Sequence, residues 1–156
     1  MPRRAQAIKR IISPDPKYQS VMVGKLINRV MICGKKNTAQ KIVYDALDLL
    51  EQQESQPPLD VMELAIKNST LLLEVKARRI GGATYQVPIE VRPDRALSLA
   101  LRWLVTSTRA RTGKSMAEKL AAELSAASKG QGETIRRREN THRMAEANRA
   151  FAHFRW

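Results

Sequence analysis

A chain of 156 residues with 43% hydrophobic side chains is about one domain long and apolar enough to bury a core. Its 28 Lys and Arg against 15 Asp and Glu leave a net charge of +13, which points to a polyanion and away from an acidic small molecule. No apolar run approaches the ~20 residues of a membrane span and no signal peptide precedes Arg3, so a membrane protein is not expected, while the lone Cys33 excludes an intramolecular disulfide and fits a reducing, cytosol-like compartment.

Residues 1–19 hold Pro2, Pro14 and Pro16 and no sustained periodicity, so they read as an extended arm, mobile until bound, that carries Arg3, Arg4, Lys9 and Arg10. The remainder, 20–156, reads as one helical domain of about six helices with a protruding β-hairpin near 72–91, a mainly α fold. Val23, Leu26, Ile27, Val30 and Met31 recur at helical spacing and stop at Gly34. The second helix shows Ala39, Ile42, Val43, Ala46, Leu47 and Leu50 on one stripe with acids opposite, and Pro57-Pro58 opens a third through Met62, Ala65 and Ile66.

Charge is segregated along this stretch. Residues 1–36 hold nine basic side chains and one acid, residues 37–74 two and seven, and residues 75–156 seventeen and seven. The acidic middle, with Asp45, Asp48, Glu51, Glu54, Asp60 and Glu63, reads as the face turned away from the polyanion.

From Leu71 to Arg92 the period changes to two, with Gly81-Gly82 between two alternating runs. A two-residue turn would set Val75 opposite Pro88 and put the apolar stripes on opposite faces. A three-residue loop, Gly81-Gly82-Ala83, pairs Val75 with Ile89, Ala77 with Val87 and Arg79 with Tyr85, at the cost of Glu74 facing Glu90. The three-residue loop is therefore expected, with a projecting tip, little apolar area to bury, and Tyr85 bracing Arg79 by a cation–π contact.

Pro93 restarts helix, and Leu97, Ala100, Leu101, Leu104 and Val105 form a strong stripe, while Arg95, Arg102 and Arg109 at intervals of seven lie together off it. Trp103 borders the stripe, equally suited to core packing or to stacking on a base. Ser115 with Glu118 makes a capping box for a fifth helix through Leu124. A sixth, roughly 133–150, has little stripe beyond Ile135, Met144 and Ala145, so it needs a partner other than a core.

The residues that could carry chemistry do not assemble into a catalytic set. Arg111-Thr112-Gly113-Lys114-Ser115 ends like a phosphate-binding loop, but the first glycine of that motif would fall at Thr108 and the segment follows a helix instead of a strand. His142 and His153 lack metal-ligand spacing and Cys33 has no visible base, so neither an enzyme nor a cofactor is expected. What remains is basic surface on several elements: Lys35 and Lys36 at a helix junction, Arg78 and Arg79 on the hairpin, Arg92 and Arg95 beyond it, and Arg136, Arg137 and Arg138 on the last helix. Folded RNA offers phosphates in several directions, whereas duplex DNA is more naturally met by one recognition helix, and no helix-turn-helix pair is evident. A basic DNA-binding regulator is the alternative reading.

Three blocks give the chain a family resemblance. SVMVGKLINRVMICGKKNTAQKIVYDA, VKARRIGGATYQVPIEVRP and THRMAEANRAFAHFRW together resemble the bacterial-type small-subunit ribosomal protein seven family from end to end. The resemblance implies a helical domain with one hairpin that binds the 3′ major (head) domain of small-subunit ribosomal RNA, nucleates head assembly and lies near the exit-site tRNA and the mRNA path. It also implies neighbouring head and platform proteins, ribosomal proteins nine and eleven among them, and a place in the ribosome of a bacterial cytoplasm or a plastid stroma. By position it matches Lys35 and Lys36 to the family's RNA-contacting junction, and Arg78, Arg79, Gly81 and Gly82 to its hairpin. The block from Thr141 to Asn148, with His142 and Arg143, matches its late helix. Arg102, Arg109, Arg111 and Lys114 join these as candidate RNA contacts on charge alone.

Overall fold

The computed structural model describes residues 10–54, 56–113 and 115–154. Six helices, one hairpin and a closing 3₁₀ segment follow in chain order: α1 (Val21–Val30), α2 (Lys36–Gln53), α3 (Pro58–Ser69), β1 (Leu73–Ile80), β2 (Ala83–Glu90), α4 (Pro93–Ala110), α5 (Met116–Ser128), α6 (Glu133–Ala147) and the 3₁₀ segment Arg149–Phe154. Local chemistry sets the starts. The Ser20 hydroxyl accepts from the Met22 amide at 3.2 Å, Pro58 and Pro93 stand at first helical positions with no amide to leave unpaired, and the Ser115 hydroxyl accepts from the Glu118 amide at 3.4 Å.

α5 is the centre of the bundle, packed against α2, α3 and α4, and α1 closes the core over α2 and α4. Leu26, Leu47, Leu50, Met62, Leu104, Leu120 and Leu124 are fully buried, as the helical stripes require. Trp103 is half-buried and Met144, expected on the stripe of α6, is 51% exposed. α6 inserts only Thr134, Ile135 and Ala145.

Of the expected arm, residues 1–9 lie outside the described residues, and residues 15–19 are pinned to the helices. Asp15 is 4% exposed and accepts the Tyr44 hydroxyl at 2.9 Å together with the amides of Lys17 and Tyr18. Tyr18 meets Tyr44 edge to face at 5.7 Å, and Lys17 pairs with Asp48 at 2.9 Å.

The hairpin corrects the expected register. Ile80 pairs with Ala83, Arg78 with Tyr85 and Val75 with Pro88, so the turn is the two residues Gly81-Gly82. Both glycines have positive φ, +55° and +90°, the two-residue turn whose twist matches that of the strands it joins. The objection to this register was that apolar side chains fall on both faces. Both faces are in fact covered at the base, because the sequence neighbours Val87 and Pro88, which point opposite ways, are both buried. Glu74 no longer faces Glu90; it sits across from Ile89 and accepts Arg95 Nε at 2.8 Å.

The tip is also less bare than expected. The ring of Tyr85 lies 5.3 Å from that of Phe151 and 5.5 Å from that of Phe154, so the 3₁₀ segment braces β2. Tyr85 therefore serves packing and not Arg79, which stands opposite Thr84.

Candidate nucleic-acid interface

The geometry divides the candidate arginines by what receives them. In the last turn of α1, Arg29 faces α4, and its guanidinium is pulled below the usual arginine value by burial first and then by the charges of Arg102 and Arg109. The seven-residue spacing places Arg102 and Arg109 on one side of α4, and the packing of α1 on α4 brings Arg29 to them. Among the described residues no carboxylate forms an ion pair with any of the three. Arg109 also donates from Nη2 to the Val30 carbonyl at 3.2 Å, a cation at the negative end of α1. The chain then turns through Cys33 and Gly34 at positive φ and presents Lys35 and Lys36, both exposed, at the start of α2. Arg10 is exposed on the approach to α1. Arg29, Arg102 and Arg109 thus form a cationic cluster where α1 packs on α4, with the exposed Lys35 and Lys36 following at the start of α2.

Around α5 and α6 the arginines are received by the protein itself. Arg111 Nε donates at 2.7 Å to Glu123, a carboxylate with no solvent exposure. The other oxygen of Glu123 accepts from the Thr134 amide at 3.1 Å and hydroxyl at 2.6 Å. α6 begins after Gly132, which has no side chain to cap it, and Glu123 supplies that cap from α5. Arg138 Nη1 donates to the Asn68 carbonyl at the end of α3, while the Asn68 side-chain amide donates to the Ala127 and Ser128 carbonyls at 3.1 and 2.9 Å, closing the end of α5. Arg136 and Arg137 lie 3.9 and 3.6 Å from Glu133 one turn back. Arg143 is exposed.

His142 turns inward as well. Its Nε2 accepts the Leu72 amide at 3.1 Å, tying α6 to the residue before the hairpin, and burial, reinforced by nearby Arg138, holds its imidazole below the usual histidine value. That bond requires a neutral ring with Nε2 unprotonated. Arg95 is exposed but paired with Glu74, Arg79 and Arg92 are exposed as well, and Arg78 is half-buried opposite Tyr85. Arg3, Arg4, Lys9 and Lys114 lie outside the described residues. Among the described residues no three His, Cys, Asp or Glu are placed to hold a metal ion, and no helix is long and apolar enough to cross a membrane.

Four residues of consequence were missed in the sequence. Arg29 looks like any helix-terminal arginine until α1 is packed on α4. Glu123 looks like a solvated acid, although its place among Leu120, Ala121, Leu124 and Ala127 puts it on the buried side of α5. Phe151 and Phe154, three apart in a segment with no other core, carried a signal that was there to read.

The profile of the family described as ribosomal protein S7p/S5e matches residues 2–149. The chain is 58% identical to the small ribosomal subunit protein uS7 of Dehalococcoides mccartyi over 156 residues, the whole of both chains. It is 56% identical to the protein of the same name from Thermomicrobium roseum over the same span, and 56% identical to that from Kosmotoga olearia over 154 residues, 99% of each chain. On matches of this extent the chain belongs to the ribosomal protein S7p/S5e family.

Proposed function

We propose that the protein is a non-enzymatic structural constituent of the small ribosomal subunit, and that it binds folded ribosomal RNA of the head domain by gripping phosphates. The observation that carries this reading is the Arg29–Arg102–Arg109 set. Three like charges are held together against their mutual repulsion with no paired carboxylate among the described residues, and a polyanion laid across them relieves that repulsion. Lys35 and Lys36, Arg10 and the exposed Arg79, Arg92 and Arg143 extend the surface in directions that a folded RNA can meet at once.

Family membership supports the finer part of the proposal: nucleation of head assembly, a position near the exit-site tRNA and the mRNA path, and contact with neighbouring ribosomal proteins such as nine and eleven, in the cytoplasm of a bacterium. The hairpin is the element offered to the tRNA and mRNA side. Filter binding of the full chain to a transcript of the 3′ major domain, competed with duplex DNA of matched length, tests the reading. RNA should win by on the order of a hundredfold or more at physiological salt. Equal competition would make the protein a general polyanion binder and overturn it.

A further inference from the structure

Between α1 and α4 lies a groove of about 650 Å³ whose lining mixes two chemistries. Val21, Leu97 and Leu101 supply an apolar floor, and Val21 is left 43% exposed at the first position of α1. Arg10, Lys25 and Arg29 stand at the rim against a single acid, Asp94. A cleft of this size accepts one small-molecule-sized ligand and not a duplex.

The chain before α1 builds the lip of the groove. An added side-chain carbon on Gly24 would come within 3.1 Å of the Ser13 carbonyl and 3.6 Å of Ile12, so a side chain there would press residues 12–13 outward by a few tenths of an ångström and glycine lets them run close over α1. That approach brings Ile12 and Arg10 to the groove.

A purely apolar ligand has no use for three cations, and an isolated phosphate leaves the floor wet. A nucleotide satisfies both, with a flat base to cover the floor and a phosphate for the rim. Bases that can be read singly in RNA are those splayed out of the stack. Asn28, also in the lining, carries both donors and an acceptor for a base edge.

We infer that this groove seats a single unstacked nucleotide of the bound RNA, its base over Val21, Leu97 and Leu101 and its phosphate at Arg10, Lys25 and Arg29. The inference rests on the RNA-binding reading above. It makes the α1–α4 groove the place where the protein recognises an exposed base in addition to charge.

The test is base-specific chemical probing of the head-domain transcript with the full chain, comparing wild type, Val21→Asn, Val21→Ile and Ser98→Phe. Wild type and Val21→Ile should shield the base of one nucleotide. Val21→Asn should re-expose it while neighbouring protections persist, and should lower affinity about tenfold with the salt slope unchanged, because apolar contact and no phosphate contact is lost. Ser98→Phe fills the groove from the exposed side of α4 and should re-expose the same base without altering α1. Matching melting curves exclude misfolding. Protections and affinity identical to wild type in both variants would overturn the inference. So would normal RNA binding by both variants coupled to loss of a neighbouring protein from reconstituted subunits, which would assign the groove to a protein segment. A wild-type chain that shields no nucleotide anywhere would instead bring down the RNA-binding reading itself.

Discussion

The arginines of α1 and α4 and those around α5 and α6 are the same side chain put to opposite uses. Arg29 and Arg102 sit together with no carboxylate paired to them among the described residues, whereas Arg111 and Arg138 reach oxygens supplied by other parts of the fold, Glu123 on α5 and the Asn68 carbonyl at the end of α3, as Arg109 reaches the Val30 carbonyl. The difference lies in what waits for the guanidinium. Where an acceptor on another element is in reach, as for Arg109, Arg111 and Arg138, the charge holds helices together; where other cations are the neighbours, as for Arg29 and Arg102, the charge remains for a partner. Basic composition alone does not distinguish the two.

The largest way to break this comparison is Glu123→Ala. The substitution strips the buried partner from Arg111 and the cap from α6 together, and breaking a buried pair of this kind costs about 3 kcal/mol. Thermal melting should drop by roughly 6–12 °C for a chain of this size. A change of under about 2 °C would mean that Glu123 is a passenger and that α6 is held by other contacts.

Next in size is the brace on the hairpin. Phe151→Ala removes one of the two rings that meet Tyr85, a contact worth about 0.5–1.5 kcal/mol beyond the area it buries. Amide exchange across β1 and β2 should quicken while α2 and α5 keep their protection. Unchanged exchange in the strands would show that Gly81-Gly82 and the ladder suffice to hold the hairpin alone.

The smallest expected effect sharpens the same contrast at His142. Its folded value lies below the ordinary one of about 6.5, so the unfolded chain takes up the proton first as pH falls. Stability should therefore decline from about pH 7 downward, until the folded ring also protonates and the Leu72 amide loses its acceptor. Denaturant midpoints for wild type and His142→Ala, taken from pH 7.5 to 5.5, should converge as pH falls. Parallel curves would contradict the inward role of the ring.

The helices were legible because their signals are local. Pro58, Pro93 and Ser115 mark starts, and the apolar stripes that face α5 are visible without knowledge of α5. The hairpin was legible as a hairpin and not in its register, since two registers were open and the deciding interactions come from elsewhere. Arg95 draws Glu74 away from Glu90, and Phe151 and Phe154 cover a face that looked bare. The basic surface was legible as a set of residues and not as an arrangement. Nothing local to Arg29 announces Arg102, and nothing local to Arg138 announces the Asn68 carbonyl, because each pairing exists only once helices distant in sequence have packed.

The account stands most directly on the salt dependence of RNA affinity, measured for wild type, the Arg29→Gln/Arg102→Gln double variant and Arg138→Ala. If about six phosphates are neutralised, wild type should give a slope of log affinity against log salt of roughly −4 to −5. The double variant should flatten that slope by about two and melt as wild type does. Arg138→Ala should keep the wild-type slope and lose stability by about 2 kcal/mol. A wild-type slope flatter than about −2, or a double variant that keeps the full slope, would contradict the division between arginines that grip RNA and arginines that hold the fold.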